Sequence, residues 1–70
     1  MMPLTMAPPG QTVTVRKLTG RDEVHARLAE LGFVAGGDVT VVSEIAGNLI
    51  VQVKNSRVAL DKSMAMRIMI

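Results

Sequence analysis

The single histidine, His25, is the residue of this chain best suited to acid–base or metal chemistry, because imidazole titrates near neutral pH and ligates metals. On a helical wheel Glu23 and Glu30 point away from His25, and only Asp22, one turn earlier, lies near it. His25 and Asp22 are therefore the candidate metal ligands, fewer than a closed site requires. We expect His25 to be an exposed helix histidine, with at most weak or shared ferrous ion and no tightly bound cofactor.

Groups for other catalytic mechanisms are scarce. The chain has no cysteine, which excludes thiolate metal sites, disulfides and cysteine nucleophiles. None of its three serines, Ser43, Ser56 and Ser63, has a base and an orienting group around it in the sequence. We therefore expect no enzymatic activity.

The composition narrows the remaining function classes. Seventy residues allow one domain, and 49% hydrophobic residues are enough for a core. A net charge of +2 and a single aromatic residue, Phe33, argue against a nucleic-acid-binding barrel, which would need basic and stacking residues. No apolar run is long enough to span a membrane, and a cysteine-free small domain is typical of the cytoplasm.

The chain divides into an N-terminal arm, residues 1–10, and one domain, residues 11–70. All three prolines lie in the arm, which predicts an extended segment without a helix, held to the core by Leu4 and Met6. Alternating Val and Thr predict a strand over Gln11–Leu18. The spacing of apolar residues predicts a helix over Asp22–Leu31, ended by Gly32 in a left-handed conformation.

The rest of the chain is predicted to be mainly strand. Four further segments have strand patterns, and one short segment between the last two has room for a single helical turn. The strands are Asp38–Ile45, Leu49–Lys54, Arg57–Leu60 and Arg67–Ile70, and the turn is Asp61–Met66. Five short strands with one helix inserted after the first predict a small curled barrel.

Burial predicts the strand register, because a one-residue slip turns a strand inside out. Val39, Val41 and Ile45 share a face with the next strand's apolar residues only if the connecting loop is odd, which predicts the three-residue loop 46–48. The following hairpin requires a two-residue turn at Asn55–Ser56. The predicted core contains Val13, Val15, Leu28, Leu31, Val39, Val41, Val51, Val53, Leu60 and Ile68, with Phe33 as a plug between helix and barrel.

The same register predicts an apolar patch on the outer face, formed by Val42, Ile50 and Ala59. Lys54 and Arg57 would face each other beside it, and this like-charge pair would be relieved by an acidic partner. The partner-binding hypothesis therefore names Val42, Ile50, Lys54 and Arg57. The alternatives are that the N-terminal arm, or a second copy of the chain, covers the patch.

The order of several short motifs resembles the FeoA family. These motifs are Arg27-Leu28, then Glu30-Leu31-Gly32-Phe33, Gly36, the strand with Val39 and Val41, a Gly-Asn hairpin, and Arg57-Val58-Ala59-Leu60. The resemblance extends from about residue 9 to residue 70. It implies an SH3-like barrel similar to the C-terminal module of diphtheria-toxin-repressor-type regulators.

The resemblance also implies a function. A FeoA-like chain is expected to be a small cytosolic accessory of bacterial ferrous iron transport that acts on the membrane GTPase transporter FeoB. The alternatives are a stand-alone metal-responsive module and, less favoured, a nucleic-acid-binding barrel.

Overall fold

Three strands joined by two short turns form the centre of the fold. The computed structural model describes residues 1–70. Its strands are β1 (Thr12–Thr14), β2 (Lys17–Leu18), β3 (Asp38–Ile45), β4 (Asn48–Val53), β5 (Ser56–Leu60) and β6 (Ile68–Met69); its helices are α1 (Asp22–Glu30) and α2 (Lys62–Ala65), with a 3₁₀ turn at Leu4–Met6. The prediction of a mainly β fold with one short helix inserted among its strands is confirmed, but the fold has six strands instead of five and α1 follows the second strand instead of the first.

The strands form two antiparallel sheets, of order β1-β3-β4-β5 and β2-β6. The single strand predicted over Gln11–Leu18 is wrong, because the chain turns between the two sheets at Val15 and Arg16. Val15 N–H donates to Gly37 O at 2.8 Å, whereas Arg16 N–H donates to Met69 O at 2.8 Å. A strand that changes sheets in this way curls the small fold around its core.

The core is aliphatic and contains one aromatic ring. Phe33, Leu4, Leu28, Val51 and Ile68 are fully buried. Of the residues predicted to be buried, Val13 and Leu31 are only half-buried; those confirmed are Val15, Leu28, Val39, Val41, Val51, Val53, Leu60 and Ile68. Phe33 is confirmed as a core residue.

Helix α1 begins at Asp22 as predicted and ends one residue earlier than predicted, at Glu30. Gly32 has φ +106°, the left-handed conformation expected after the helix. The chain then reverses at once, since Phe33 N–H donates to Leu28 O at 2.9 Å. The helix stop thus delivers Phe33 into the core beside Leu28.

The first hairpin, β3–β4, differs from the predicted one in its turn. The turn is Ala46-Gly47, both residues having positive φ (52° and 83°), as in a type I′ turn. Asn48 begins β4 instead of closing a loop. The pairing shifts between Val41 and Ser43, so Val42 is the extra residue of a β-bulge. The bulge keeps Val39 and Val41 on the core face but leaves Ile45 61% exposed, which corrects its predicted burial.

The second hairpin, β4–β5, turns one residue earlier than predicted. Val53 pairs with Ser56, so the turn is Lys54-Asn55, with Lys54 at φ +53°. Val51 pairs with Val58 and Leu49 with Leu60. The core face of β5 is consequently Val58 and Leu60, as expected from the alternation. The turn predicted at Asn55–Ser56 would have paired Val58 with Val53 and Leu60 with Val51, so each partner is shifted by two residues along β4.

The N-terminal segment departs from an extended conformation. A 3₁₀ turn forms at Leu4–Met6 despite the neighbouring prolines, because the turn starts after Pro3 and needs no amide hydrogen from it. Leu4 is buried as predicted, whereas Met6 is 65% exposed and does not hold the segment to the core. Met2 and Ile70 exchange backbone hydrogen bonds of 3.0 and 2.7 Å, so this segment flanks β6.

Candidate functional site

The outer face of β4 and β5 contains the candidate partner surface. Ile50 lies opposite Ala59 on β5, and two residues along β4, on the same face, Gln52 lies opposite Arg57. Ile50 and Gln52 are half-buried, while Ala59 and Arg57 are exposed. The apolar pair of Ile50 and Ala59 therefore lies directly beside a polar pair that carries one positive charge, that of Arg57.

Hydrogen bonds order the cationic end of this face. Arg57 Nε donates to Gln52 Oε1 at 3.3 Å, and Gln52 Nε2 donates to Lys54 O at 3.4 Å. The amide of Gln52 thus links the guanidinium to the β4–β5 turn. The remaining guanidinium N–H groups are free to bind a carboxylate, which a planar donor fork binds in bidentate geometry.

Val42 is part of the same region in a way that the sequence pattern did not predict. It is the bulged residue of β3, next to Ser43, which pairs with Ile50. Its side chain is half-buried. The structure therefore brings Ile50, Ala59 and Arg57 together and places Val42 at their border, in an irregular stretch of strand.

Lys54 is not where the hypothesis put it. The predicted pairing of Lys54 with Arg57 across the turn is wrong, because the turn lies one residue earlier and Arg57 pairs with Gln52. A Cβ on Gly32 would lie 3.7 Å from Lys54 Cδ, so the Lys54 stem runs past the chain just after α1. The Lys54 side chain therefore lies beside the segment that follows α1, and the like-charge pair with Arg57 that we expected does not form.

The two candidate metal ligands lie on α1. Asp22 is the exposed first residue of the helix. His25 is half-buried, and its Nε2 is enclosed without a hydrogen-bond partner, so the expectation of an exposed imidazole is wrong for that atom. Three or more histidine and acidic side chains do not cluster anywhere in the chain in a way that could hold a metal ion.

Asp61 is an ordered carboxylate that sequence reasoning missed. It is the N-cap of α2, and its Oδ1 accepts hydrogen bonds of 2.8 Å from Met64 N–H and from the Ser63 hydroxyl. These bonds, and then the positive charge of Arg27, hold the pKa of Asp61 below its ordinary value. An Asp directly before a short helix is a recognisable N-cap signal.

Two surface grooves lie away from the outer face. One, of about 560 Å³, is lined by Met1, Met2, Val13, Thr14, Arg16 and Ile70. The other, of about 440 Å³, is lined by Glu23, Val24, Ala26, Arg27, Glu30 and Met64. Neither contains the histidine or a nucleophile beside a base, so neither has the arrangement of an acid–base active site.

Short antiparallel strands in two sheets, with α1 inserted between β2 and β3, form the architecture of a small SH3-like domain. The structure contains no helix that could cross a membrane. The FeoA domain model matches residues 2–70, and the chain belongs to the FeoA family.

Relatives and solved structures agree with this assignment. The chain is 31% identical to "Putative Fe(2+) transport protein A" of Methanocaldococcus jannaschii, over all of this chain and 85% of that protein. It is 33% identical to FeoA of Stenotrophomonas maltophilia in complex with zinc, described as an SH3 domain protein and a candidate activating factor of bacterial ferrous iron transport, with TM-score 0.84 over 99% and 88% of the two chains.

A manganese-dependent transcriptional repressor shares the fold. Its TM-score is 0.84 at 23% identity, over 94% of this chain and 38% of the repressor. The similarity of the FeoA fold to a module of metal-dependent repressors, implied by the sequence resemblance, is thereby confirmed at the level of fold.

Proposed function

We propose that this chain is a cytoplasmic accessory protein of ferrous iron transport that binds the cytosolic part of a FeoB-type membrane GTPase transporter through the outer face of β4 and β5. Membership of the FeoA family and the name of the Methanocaldococcus relative support the transport role. The observation that carries the proposal for the site is the pairing of Ile50 and Ala59 beside the Gln52-ordered guanidinium of Arg57.

Binding, with no catalysis and no nucleic acid, is the mode of action that we propose. An apolar contact next to an oriented cation is typical of a protein interface in which an acidic residue of the partner meets Arg57. Val42 and Lys54 lie at the two borders of this face: Val42 supplies apolar area, and Lys54 adds positive potential near the β4–β5 turn.

A binding experiment with matched variants tests the proposal. We expect an Ile50→Glu, Arg57→Glu double variant to bind the purified cytosolic part of FeoB at least about tenfold more weakly than the unmodified chain, because it loses the apolar contact and reverses the charge. A Val34→Glu, Arg16→Glu variant makes the same chemical changes on exposed residues outside this face and should bind within about twofold of the unmodified chain.

Two results would contradict different parts of the proposal. Unchanged binding by a folded Ile50→Glu, Arg57→Glu variant would remove this face, while retaining the partner. Absence of binding by the unmodified chain would remove the partner. Circular dichroism and the unfolding midpoint of each variant establish that it is folded.

We further propose that the isolated chain holds no tight transition metal ion. No third histidine or acidic side chain joins His25 and Asp22 in a cluster that could hold a metal ion. Nε2 of His25 is enclosed, so a metal could reach this atom only after the ring moved. The zinc complex of the Stenotrophomonas FeoA favours the alternative, a metal-responsive module. Calorimetry with zinc and with anaerobic ferrous ion separates the two: a submicromolar site that is lost in His25→Ala would establish the alternative.

A further inference from the structure

The outer edge of β5 is the longest unpaired strand edge in the fold. β5 is terminal in the sheet order β1-β3-β4-β5 and pairs only with β4. The other terminal strand, β1, has only three residues, against five in β5. β6 is flanked by β2 and by Met2.

The register identifies which backbone groups of β5 are free. A two-residue turn makes Val53 and Ser56 a hydrogen-bonded pair. Hydrogen-bonded and non-bonded pairs alternate in an antiparallel ladder, so Val58 and Leu60 also bond to β4. The N–H and C=O groups of Arg57 and Ala59 therefore point away from β4, and both residues are exposed. The edge offers two donors and two acceptors in a row.

We propose that this edge pairs with the same edge of a second copy of the chain, antiparallel and centred on Val58, to form a twofold-symmetric dimer with one continuous sheet. In this register Arg57 of each copy lies opposite Ala59 of the other, and the four free groups of each edge are satisfied by four intermolecular hydrogen bonds. The two Val58 side chains, half-buried at the margin of each core, meet at the axis.

Strand length and charge favour this register. β5 runs from Ser56 to Leu60, so the register centred on its middle residue, Val58, pairs all five residues of both strands. A register shifted toward Asp61 would need a residue that lies beyond the strand and caps α2. A shift in the other direction puts Arg57 opposite Arg57, which is unfavourable, whereas the register centred on Val58 puts each Arg57 opposite the uncharged Ala59.

The interface is small, so the dimer is expected to be weak. A contact of about five residues per strand is below the area of stable complexes. We therefore expect monomers at about 10 µM and a measurable dimer fraction approaching about 1 mM by sedimentation equilibrium.

Amide hydrogen exchange on the chain alone provides the first test. Protection of the Arg57 and Ala59 amides should rise with protein concentration, whereas the Val58 amide, bonded to β4, should be protected at every concentration. Three results would overturn the proposal: a monomer throughout the range, protection of Arg57 and Ala59 that does not depend on concentration, or a dimer whose newly protected amides lie elsewhere. A monomer throughout the range would mean that the edge of β5 is available to pair with a strand from another protein.

Opposite charges at Ala59 test the register. Ala59→Glu should tighten the dimer and Ala59→Lys should weaken it, each by roughly tenfold, because the twofold axis repeats the new pair with Arg57 twice. Gln11→Glu and Gln11→Lys change the net charge equally at an exposed residue before β1 and should leave the dissociation constant unchanged. Equal effects of the two Ala59 variants would contradict the proposed register.

Discussion

The two hairpins that share β4 both bury alternate residues of their strands, but one contains a β-bulge and the other does not. In β3–β4, a two-residue turn at Ala46-Gly47 is combined with a bulge at Val42. In β4–β5, the turn at Lys54-Asn55 is followed by uninterrupted pairing. Both arrangements put alternate residues of neighbouring strands on the core face. Burial therefore constrains which residues face inward, and it leaves open whether the extra residue lies in the turn or in the strand.

The difference has a consequence for the candidate site. The bulge places Val42 at the border of the outer face, and the regular ladder of the second hairpin aligns Ile50 with Ala59 and Gln52 with Arg57. A turn one residue later would have paired Lys54 with Arg57, and their positive charges would have repelled each other. The position of a two-residue turn thus decides whether Arg57 is ordered by Gln52 or opposed by a lysine.

Deleting single residues of the central strands gives the largest expected effect. Removal of Val42 leaves Val41 opposite Val51 and Ser43 opposite Ile50, which is a regular ladder, so we expect a folded protein that is destabilised by no more than about 2 kcal/mol. Removal of Ile50 from β4, which has no extra residue, makes Leu49 and Val51 adjacent and turns one of them outward, so it should abolish folding. Heteronuclear NMR spectra and urea unfolding distinguish the two deletions. An unfolded Val42 deletion would disprove the role assigned to the bulge.

Substitutions at neighbouring positions of β4 compare the two faces. Leu49 lies opposite Glu44 in one hairpin and Leu60 in the other and is 5% exposed. Leu49→Ala should lower the free energy of unfolding by about 2 to 5 kcal/mol, enough to unfold much of so small a domain. Ile50→Ala, on the outer face, should cost about 1 kcal/mol or less. Urea midpoints measure both, and equal losses would mean that the faces are misassigned.

The strained turn of the first hairpin offers a gain in stability. Ala46 has φ +52°, a conformation that is unfavourable for alanine and that asparagine tolerates better. Ala46→Asn creates the Asn-Gly pair preferred in type I′ turns and should raise the free energy of unfolding by about 0.5 to 1 kcal/mol. Ala26→Asn, on the exposed side of α1, is the control and should not stabilise. A loss of stability in Ala46→Asn would argue against the turn type.

The smallest expected effect concerns the far end of the second hairpin, where Asp61 caps α2. Its pKa is lowered in the folded state, so its ionised form stabilises the fold at neutral pH, and this contribution is lost as the pH falls through the folded pKa, below about pH 4. Asp61→Asn keeps a cap acceptor without the charge. The melting temperature of the unmodified chain should fall more steeply than that of Asp61→Asn between about pH 5 and pH 2. Identical slopes would contradict this.

Much of the fold was predictable because local signals agreed with one another. The alternation in Asp38–Ile45 matches β3 at both ends, and the spacing of Val24, Leu28 and Leu31 with Gly32 predicted α1 to within one residue. The motif order that resembles FeoA was confirmed by the family match over residues 2–70. Short-range patterning is readable where one face of an element must be buried.

The candidate site was only partly predictable. Ile50, Ala59 and Arg57 were correctly placed on one face, because alternation along a strand fixes the face of every residue once one is known. The roles of Lys54 and Val42 were not predictable, because moving one residue between a turn and a bulge changes no local preference strongly. The binding function of these residues stays a prediction.

The residues themselves therefore specify the type of each element, the face that each strand buries and the absence of cysteine chemistry, all of which follow from side-chain chemistry and from periods of 2.0 and 3.6 residues. Tertiary packing determines the features that these local patterns do not specify. The break between β1 and β2, the burial of Leu4 and the enclosure of His25 Nε2 depend on contacts between residues far apart in the chain, as in the 2.8 Å bond from Arg16 to Met69. Such contacts produce no periodic pattern in the sequence, because they stabilise the protein only when the whole core has formed.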